Sequence, residues 1–191
     1  KYIESTIKRL KAQINNLKLI IFQPSRALVG DADIAALHSL ADKYQCYLIV
    51  GHDQHIMGGN FVQAGVFGPS GYFISNSQSD SALKLFTEVG ELLMLTGNSY
   101  DNNLGSSEAD IVIDFRNDSS IKLKQAVSSY QRCSPFLIRM PPAVNMEGAC
   151  IFDNFGVVLT QVGPDWEQIL TANLDLRQSL RQKEITSPAE I

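Results

Sequence analysis

The sequence lacks the features that would tie it to a membrane or to nucleic acid. Its 191 residues contain no uninterrupted apolar run of about 18 residues. No basic stretch followed by an apolar block, the layout of a secretory signal, opens the chain. The net charge is -4, and lysine and arginine form no cluster. We therefore expect a cytoplasmic protein with no membrane partner and no nucleic-acid partner.

Cysteine is also scarce, and its spacing fits neither a disulfide framework nor a metal site. Cys46, Cys133 and Cys150 are odd in number and lie far apart. Reduced thiols are the expected state in the cytoplasm. We interpret Cys133 and Cys150 as small packed side chains rather than reactive thiols. The sequence predicts no cofactor.

Apolar residues, by contrast, are plentiful, at 45% of the chain against 19% charged residues. This balance suits one globular domain with its own core. We place the domain at residues 1–176 and assign residues 177–191 to a polar C-terminal tail. The chain begins at Lys1 rather than at methionine, so a fragment of a longer protein is one expectation.

Hydrophobic periodicity predicts helices and strands in alternation. One amphipathic helix is indicated by apolar residues spaced three and four apart, Ile3, Ile7, Leu10, Ile14 and Leu17. A strand at 18–22 should end at Gln23-Pro24-Ser25, because proline cannot continue a central ladder. A second helix is predicted to begin with Asp33 as its N-cap. The strand at 47–50 should end at Gly51, with a loop after it.

The rest of the chain predicts short strands, some of them joined as hairpins. Gly68-Pro69-Ser70-Gly71 supplies the turn between strands at 61–67 and 72–74. A helix is predicted at 120–130, a sheet-closing segment at 169–176, and further strands at 82–86, 91–95, 110–115, 136–140, 150–153 and 157–161. Parallel and antiparallel connections in one chain predict an α/β fold, a four-layer αββα sandwich of two mixed β-sheets flanked by helices.

The stretch 90–101 has the most informative pattern. Its apolar run, Leu92 to Leu95, indicates a buried strand that ends in a sharp turn. In open α/β folds, ligands and nucleophiles gather at such strand ends. None of Met94, Leu95, Thr96 and Gly97 is an obvious nucleophile.

The order of these motifs resembles the nitrilase, or carbon-nitrogen hydrolase, superfamily over about residues 16–181. Six stretches carry the resemblance: Leu19-Ile20-Ile21-Phe22-Gln23-Pro24-Ser25, the hairpin at 60–71, the nucleophile strand at 90–101, the "alanine-aspartate" strand at 109–113, the late hairpin at 151–156 and the closing segment at 170–176. The resemblance implies a nitrilase-like sandwich. It also implies an ancestry in carbon-nitrogen bond hydrolysis.

The family's chemistry uses a glutamate base, an oxyanion-stabilising lysine and a cysteine nucleophile. Ser25 stands at the glutamate position, no lysine stands at 77–79, and Met94 or Leu95 stands at the cysteine position. Lys84 is the nearest lysine but lies close to the nucleophile strand. A thioether has no ionisable thiol, and a serine hydroxyl does not replace a carboxylate base near neutral pH. The resemblance therefore implies a vestigial site of Ser25, His52, Ser77, Met94, Thr96 and Asn98, with no catalytic residue.

Two functions remain open for such a site. One is a catalytically degenerate domain that acts as a binding, regulatory or assembly module. The other is a divergent amidase-type hydrolase with a remodelled site, for which His52, Asp53 and a serine such as Ser25 or Ser99 offer a Ser-His-Asp arrangement. His52 and His55 are two potential metal ligands, but a third is not identifiable, so no metal is predicted. The cleft either persists and takes a small-molecule ligand or is filled by Met94 and its neighbours.

The resemblance also implies two features of assembly. Pairing of two sandwiches, as in the family, would put residues 98–104, 121–130 and 166–176 at the two-fold interface of a homodimer. Family domains begin with a core strand, whereas this chain starts in a helix, so one sheet edge would lack its partner. Residues from further upstream, a partner chain or another strand of the fold could cover that edge. Residues from further upstream are the favoured source.

Overall fold

The computed structural model describes residues 2–25, 31–56, 59–74, 82–96, 109–115, 136–140, 148–163 and 170–177. These ranges contain α1 (Tyr2–Gln13), β1 (Leu19–Ser25), α2 (Asp31–Tyr44), β2 (Tyr47–Ile56), β3 (Gly59–Gly68), β4 (Gly71–Ile74), β5 (Ala82–Thr87), β6 (Gly90–Leu95), β7 (Ile111–Asp114), β8 (Phe136–Arg139), β9 (Cys150–Phe152) and β10 (Val158–Gln161). Neither described helix is long and apolar enough to span a membrane.

The strands form two mixed sheets. Sheet A has the order β1-β2-β3-β4, with β1 and β2 parallel and the other pairs antiparallel. Sheet B has the order β10-β9-β8-β7-β6-β5, with β6, β7 and β8 parallel and the outer pairs antiparallel. Two mixed sheets with helices confirm the predicted α/β sandwich. The helix predicted at 120–130 lies outside the described residues.

Apolar side chains hold the layers together. The inter-sheet core joins Ile49 and Val66 of sheet A to Met94, Ile113 and other residues of sheet B. A second cluster packs α1 and α2 against the opposite face of sheet A. A third lies on the outer face of sheet B. Each fully buried aliphatic side chain in these clusters contributes about 1.5–3 kcal/mol.

β1 and β2 continue beyond the C-terminal ends that the sequence predicted for them. β1 continues through Pro24 to Ser25, with a register shift after Phe22. Within the described sheet β1 is an edge strand, where proline is tolerated. β2 continues to Ile56, so the segment with His52, Asp53 and His55 is strand rather than loop. Its backbone pairs residue by residue with β3, and that ladder does not depend on apolar side chains.

Two other predictions fail at element ends. α2 begins at Asp31, so Asp33 lies in its first turn rather than at the N-cap; a carboxylate there still suits the positive end of the helix dipole. The predicted sheet-closing strand at 169–176 is wrong for its described part, since residues 170–175 form no strand. Leu170, Leu174 and Leu176 nevertheless pack against the inter-sheet core.

Candidate functional site

The pairing of β1 with β2 brings two of the predicted site residues together, Ser25 at the end of β1 and His52 within β2. Ser25 and His52 are register partners in this parallel pair, and neighbouring strands lie about 4.8 Å apart. His52 is also paired with Gln63 of β3. The backbone therefore places a serine and a histidine on neighbouring strands at the point where β1 ends, although β2 continues for four more residues.

Sheet B contributes Met94 and Thr96. β6 is held at its start by Asp110, whose carboxylate accepts a hydrogen bond from the Glu91 N–H at 2.9 Å. Gly90 has φ +110°, and a β-carbon there would lie 3.0 Å from the Asp110 carboxylate, so glycine is required. Met94 is 0% exposed, and Thr96, just past the strand, is 6% exposed.

Met94 is part of the packing between the sheets. It is in register with Leu83 of β5 and Ile113 of β7, and all three belong to or pack against the inter-sheet core. Methionine fills irregular space well because its chain is unbranched and flexible. Met94, one of the two residues that the resemblance puts at the nucleophile position, is therefore a core residue.

The remaining predicted site residues fall outside the described part. Ser77 and Asn98 lie there, as do Ser99 and Asp101. Lys84 is described and forms an ion pair with Glu91. Its strand neighbours Leu83 and Leu85 pack against the inter-sheet core, so Lys84 lies on the opposite, outer face of sheet B.

A buried ion pair at the ends of β7 and β8 was missed by the sequence analysis. The Arg139 Nη1 atom lies 3.7 Å from the Asp114 Oδ2 atom, and the side chains are 3% and 0% exposed. The pair continues a row across sheet B from Leu95 to Cys150. The signal in the sequence is a single charged residue at the end of each apolar run. Such a pair is costly to break, because it would leave one buried charge unpaired.

Asp114 and Arg139 are better placed to hold strands than to react. Alternation along β7 and β8 puts them on the outer face of sheet B, opposite Ile113 and Ile138 of the inter-sheet core. The carboxylate is compensated by the guanidinium and is not a free base. The pair therefore fixes the ends of two parallel strands beside β6.

Thiols and metal ligands offer little chemistry in the described residues. Cys46 and Cys150 are both buried. Burial raises the pKa of the Cys46 thiol, and Lys11 offsets part of that rise, so Cys46 is a poor thiolate nucleophile. No group of three histidine, cysteine or acidic residues in the described ranges could hold a metal ion.

Solved structures share this architecture, although sequence comparison alone finds no relative. No protein-family model matches the sequence, and no curated protein matches it. The chain is similar to Saccharomyces cerevisiae Nit3, a member of branch 10 of the nitrilase superfamily, with TM-score 0.71 and 14% identity over 98% of this chain and 88% of that one.

Two further structures agree. A carbon-nitrogen hydrolase from Helicobacter pylori G27 has TM-score 0.70 and 14% identity over 97% of this chain and 86% of its own. An amidase from Nesterenkonia sp. has TM-score 0.57 and 12% identity over 86% and 79%. Two mixed sheets with their helices, matched over most of the chain by these hydrolases, show that this protein has the nitrilase-superfamily fold.

Proposed function

We propose that this protein is a catalytically degenerate nitrilase-fold domain that acts in the cytoplasm as a binding, regulatory or assembly module. The observation that carries the proposal is the complete burial of Met94 in the inter-sheet core. A thioether has no proton to lose and forms no acyl intermediate. Amide and nitrile hydrolysis of the family's kind therefore has no nucleophile here.

The other two catalytic roles also lack a suitable residue. Ser25 stands where the resemblance puts the glutamate base, and an unactivated hydroxyl does not accept a proton near neutral pH. Lys84 is paired with Glu91 on the outer face of sheet B. The proposed roles in binding and assembly include a small-molecule ligand at the strand ends and a homodimer through 98–104, 121–130 and 166–176. A strictly monomeric species in light scattering at micromolar concentration would contradict the homodimer.

The alternative is a divergent amidase-type hydrolase with a remodelled site. One observation favours it: the backbone register pairing of Ser25 with His52 where β1 ends. A serine nucleophile needs a base such as histidine close by, and backbone positions on neighbouring strands are compatible with that requirement. Whether these two residues react is therefore the question that an experiment must answer.

Turnover measurements with matched variants separate the two functions. The purified protein is incubated with a panel of small amides, nitriles and esters, and ammonia or acid release is followed. Ser25→Ala, His52→Ala and Ser99→Ala remove the candidate groups. The control is Ser5→Ala, at an exposed position of α1. Degeneracy predicts no release above buffer for any of them. Release that Ser25→Ala or His52→Ala abolishes and Ser5→Ala keeps would establish the hydrolase.

A further inference from the structure

Exposed apolar side chains are concentrated on one hairpin of sheet B, at the turn after β9 and the start of β10. Among the described residues, seven large hydrophobic side chains are exposed, and four of them fall within five consecutive positions. Phe155 is 58% exposed, Val157 59%, Val158 43% and Leu159 44%. We call these four residues the hairpin patch. Single exposed apolar residues are normal on a protein surface, whereas a contiguous group marks a contact site.

Hydrogen bonds fix the turn that presents Phe155. One carboxylate oxygen of Asp153 accepts hydrogen bonds from the backbone N–H of Phe155 at 2.9 Å and from that of Val157 at 2.7 Å. Gly156 has φ +81° and donates its N–H to the Asp153 carbonyl at 3.0 Å. The turn is thus held by its own bonds, and little conformational entropy would be lost when a partner packs on it.

A bulge in β10 determines how this surface can be covered. β10 is the last strand of sheet B, and in the described residues it pairs only with β9. The register with β9 shifts between Val158 and Thr160, so Leu159 is the extra residue. Bulges bend an edge strand and interrupt its regular row of hydrogen-bonding groups. A further strand would therefore pair poorly along this edge, and contact through side chains is favoured.

The charge pattern favours a second copy of this chain as the partner. The ten residues 154–163 contain no charged side chain, although the chain carries a net charge of -4. Two copies with the same net charge repel each other, so they approach most easily where both are uncharged. A two-fold contact also brings like residues together, which charged side chains would oppose. A basic partner would instead be attracted to an acidic surface.

We propose that the hairpin patch packs against the hairpin patch of a second copy, around a two-fold axis. The four apolar side chains of each copy supply the contact, and the bulge keeps the two β10 strands from joining into one sheet. Four partly exposed side chains bury less than the about 1,200 Å² of a standard interface, so the association is weak and reversible. This contact lies outside residues 98–104, 121–130 and 166–176, and it goes beyond the proposed function.

The other edge of sheet B supplies a matched control position. Phe86 on β5 is 80% exposed, more than any residue of the hairpin patch. Among the described residues of β5 it is the single exposed large hydrophobic one, and the Lys84 ammonium lies 5.5 Å from the centroid of its ring. A charge introduced at Phe86 therefore changes an exposed apolar residue without touching the hairpin patch.

Sedimentation velocity over a range of protein concentrations tests the proposal. Val158→Asp and Val158→Lys each bring like charges together at the two-fold contact, and Phe86→Asp is the control. We expect the parent and the control to associate alike. Each Val158 variant alone should associate at least about tenfold more weakly, because like charges repel. Circular dichroism checks that the variants are folded, and Phe155→Ser, which introduces no charge, should weaken association as well.

An equal mixture of the two Val158 variants separates a second copy from any other partner. The aspartate of one variant then meets the lysine of the other, so association should return toward that of the parent. A parent that stays unassociated up to about 1 mM, folded variants that associate as the parent does, or a mixture no stronger than its components would each overturn the proposal.

The homodimer of the proposed function is read separately in the same experiment. If that homodimer forms, the hairpin variants change the largest species from tetramer to dimer. If it does not form, they change the largest species from dimer to monomer. Failure of one contact is therefore distinguishable from failure of the other.

Discussion

Two regions that border the inter-sheet core differ sharply in how they are packed. At the end of β6, Met94 is fully buried, as is Phe115 just beyond β7. Along β1 lies a cavity of about 980 Å³, bordered by residues 18–22, which we call the slot. Protein interiors are normally close-packed, so the first region is packed as an ordinary interior and the second is not. The difference teaches that the open space in this fold lies along β1 rather than around Met94.

Breaking the ion pair in the closed region should have the largest effect. Arg139→Met would leave the fully buried Asp114 carboxylate without its guanidinium. We expect a loss of about 3–5 kcal/mol in the free energy of unfolding, measured with urea. The control is the double variant Asp114→Leu with Arg139→Met, which should stay close to the parent. A single variant as stable as the double would show that the pair does not hold the strand ends.

Truncating one side chain in each of the two regions should lower the free energy of unfolding by unequal amounts. Met94→Ala removes a fully buried side chain and should cost about 2–5 kcal/mol, because a new cavity remains. Ile21→Ala borders the slot, where space is already open, and should cost only about 1 kcal/mol. Urea unfolding of both variants checks the difference. Equal losses would mean that the two regions are packed alike.

The smallest effect concerns the ion pair that links α1, which borders the slot, to α2. The Glu4 carboxylate lies 3.0 Å from the Lys43 ammonium and 3.5 Å from that of Lys8. A hydrogen bond and charge attraction from Lys43 hold the pKa of Glu4 below its ordinary value of 4.5. A lowered folded-state pKa stabilises the protein above the unfolded value, and this stabilisation disappears as pH falls through the folded one.

Carbon-13 NMR titration of the Glu4 carboxyl checks this contact. Lys43→Gln should bring the pKa of Glu4 back toward 4.5, and Lys8→Gln should do so less, because Lys43 is the larger cause. The change in stability should be small, since the pair is exposed. A Glu4 pKa that does not move in Lys43→Gln would show that the two helices are not linked there.

Local pattern predicted much of the fold, and long-range pairing decided the rest. The spacing of Ile7 and Leu10 predicted α1, and the apolar runs predicted the strands of sheet B, because burial follows periodicity. The extension of β2 through His52 depended on a partner, β3, that pairs with it over its whole length. The ion pair of Asp114 and Arg139 could not be predicted from local pattern, because these residues are 25 positions apart and meet only when β7 pairs with β8.

The candidate site was predictable only in part. The sequence predicted that Ser25 and His52 approach each other because each was placed after a strand, and the backbone register pairs them, although His52 lies within β2. The slot could not be predicted from composition, because it depends on the position of β1 at the edge of the described sheet A. The expectation of an uncovered sheet edge came from the family resemblance rather than from any residue pattern.

The most direct test of the central claim is a search for a covalent intermediate. Hydrolases with a serine or cysteine nucleophile pass through an acyl-enzyme. The protein is incubated with an activated ester, quenched in acid, digested and mapped by mass spectrometry. A nitrilase fold without hydrolase chemistry should carry no acyl group at Ser25 or Ser99. Acyl groups on surface lysines do not count, because an activated ester reacts with exposed amines without catalysis. An adduct at Ser25 that disappears in His52→Ala would contradict the account.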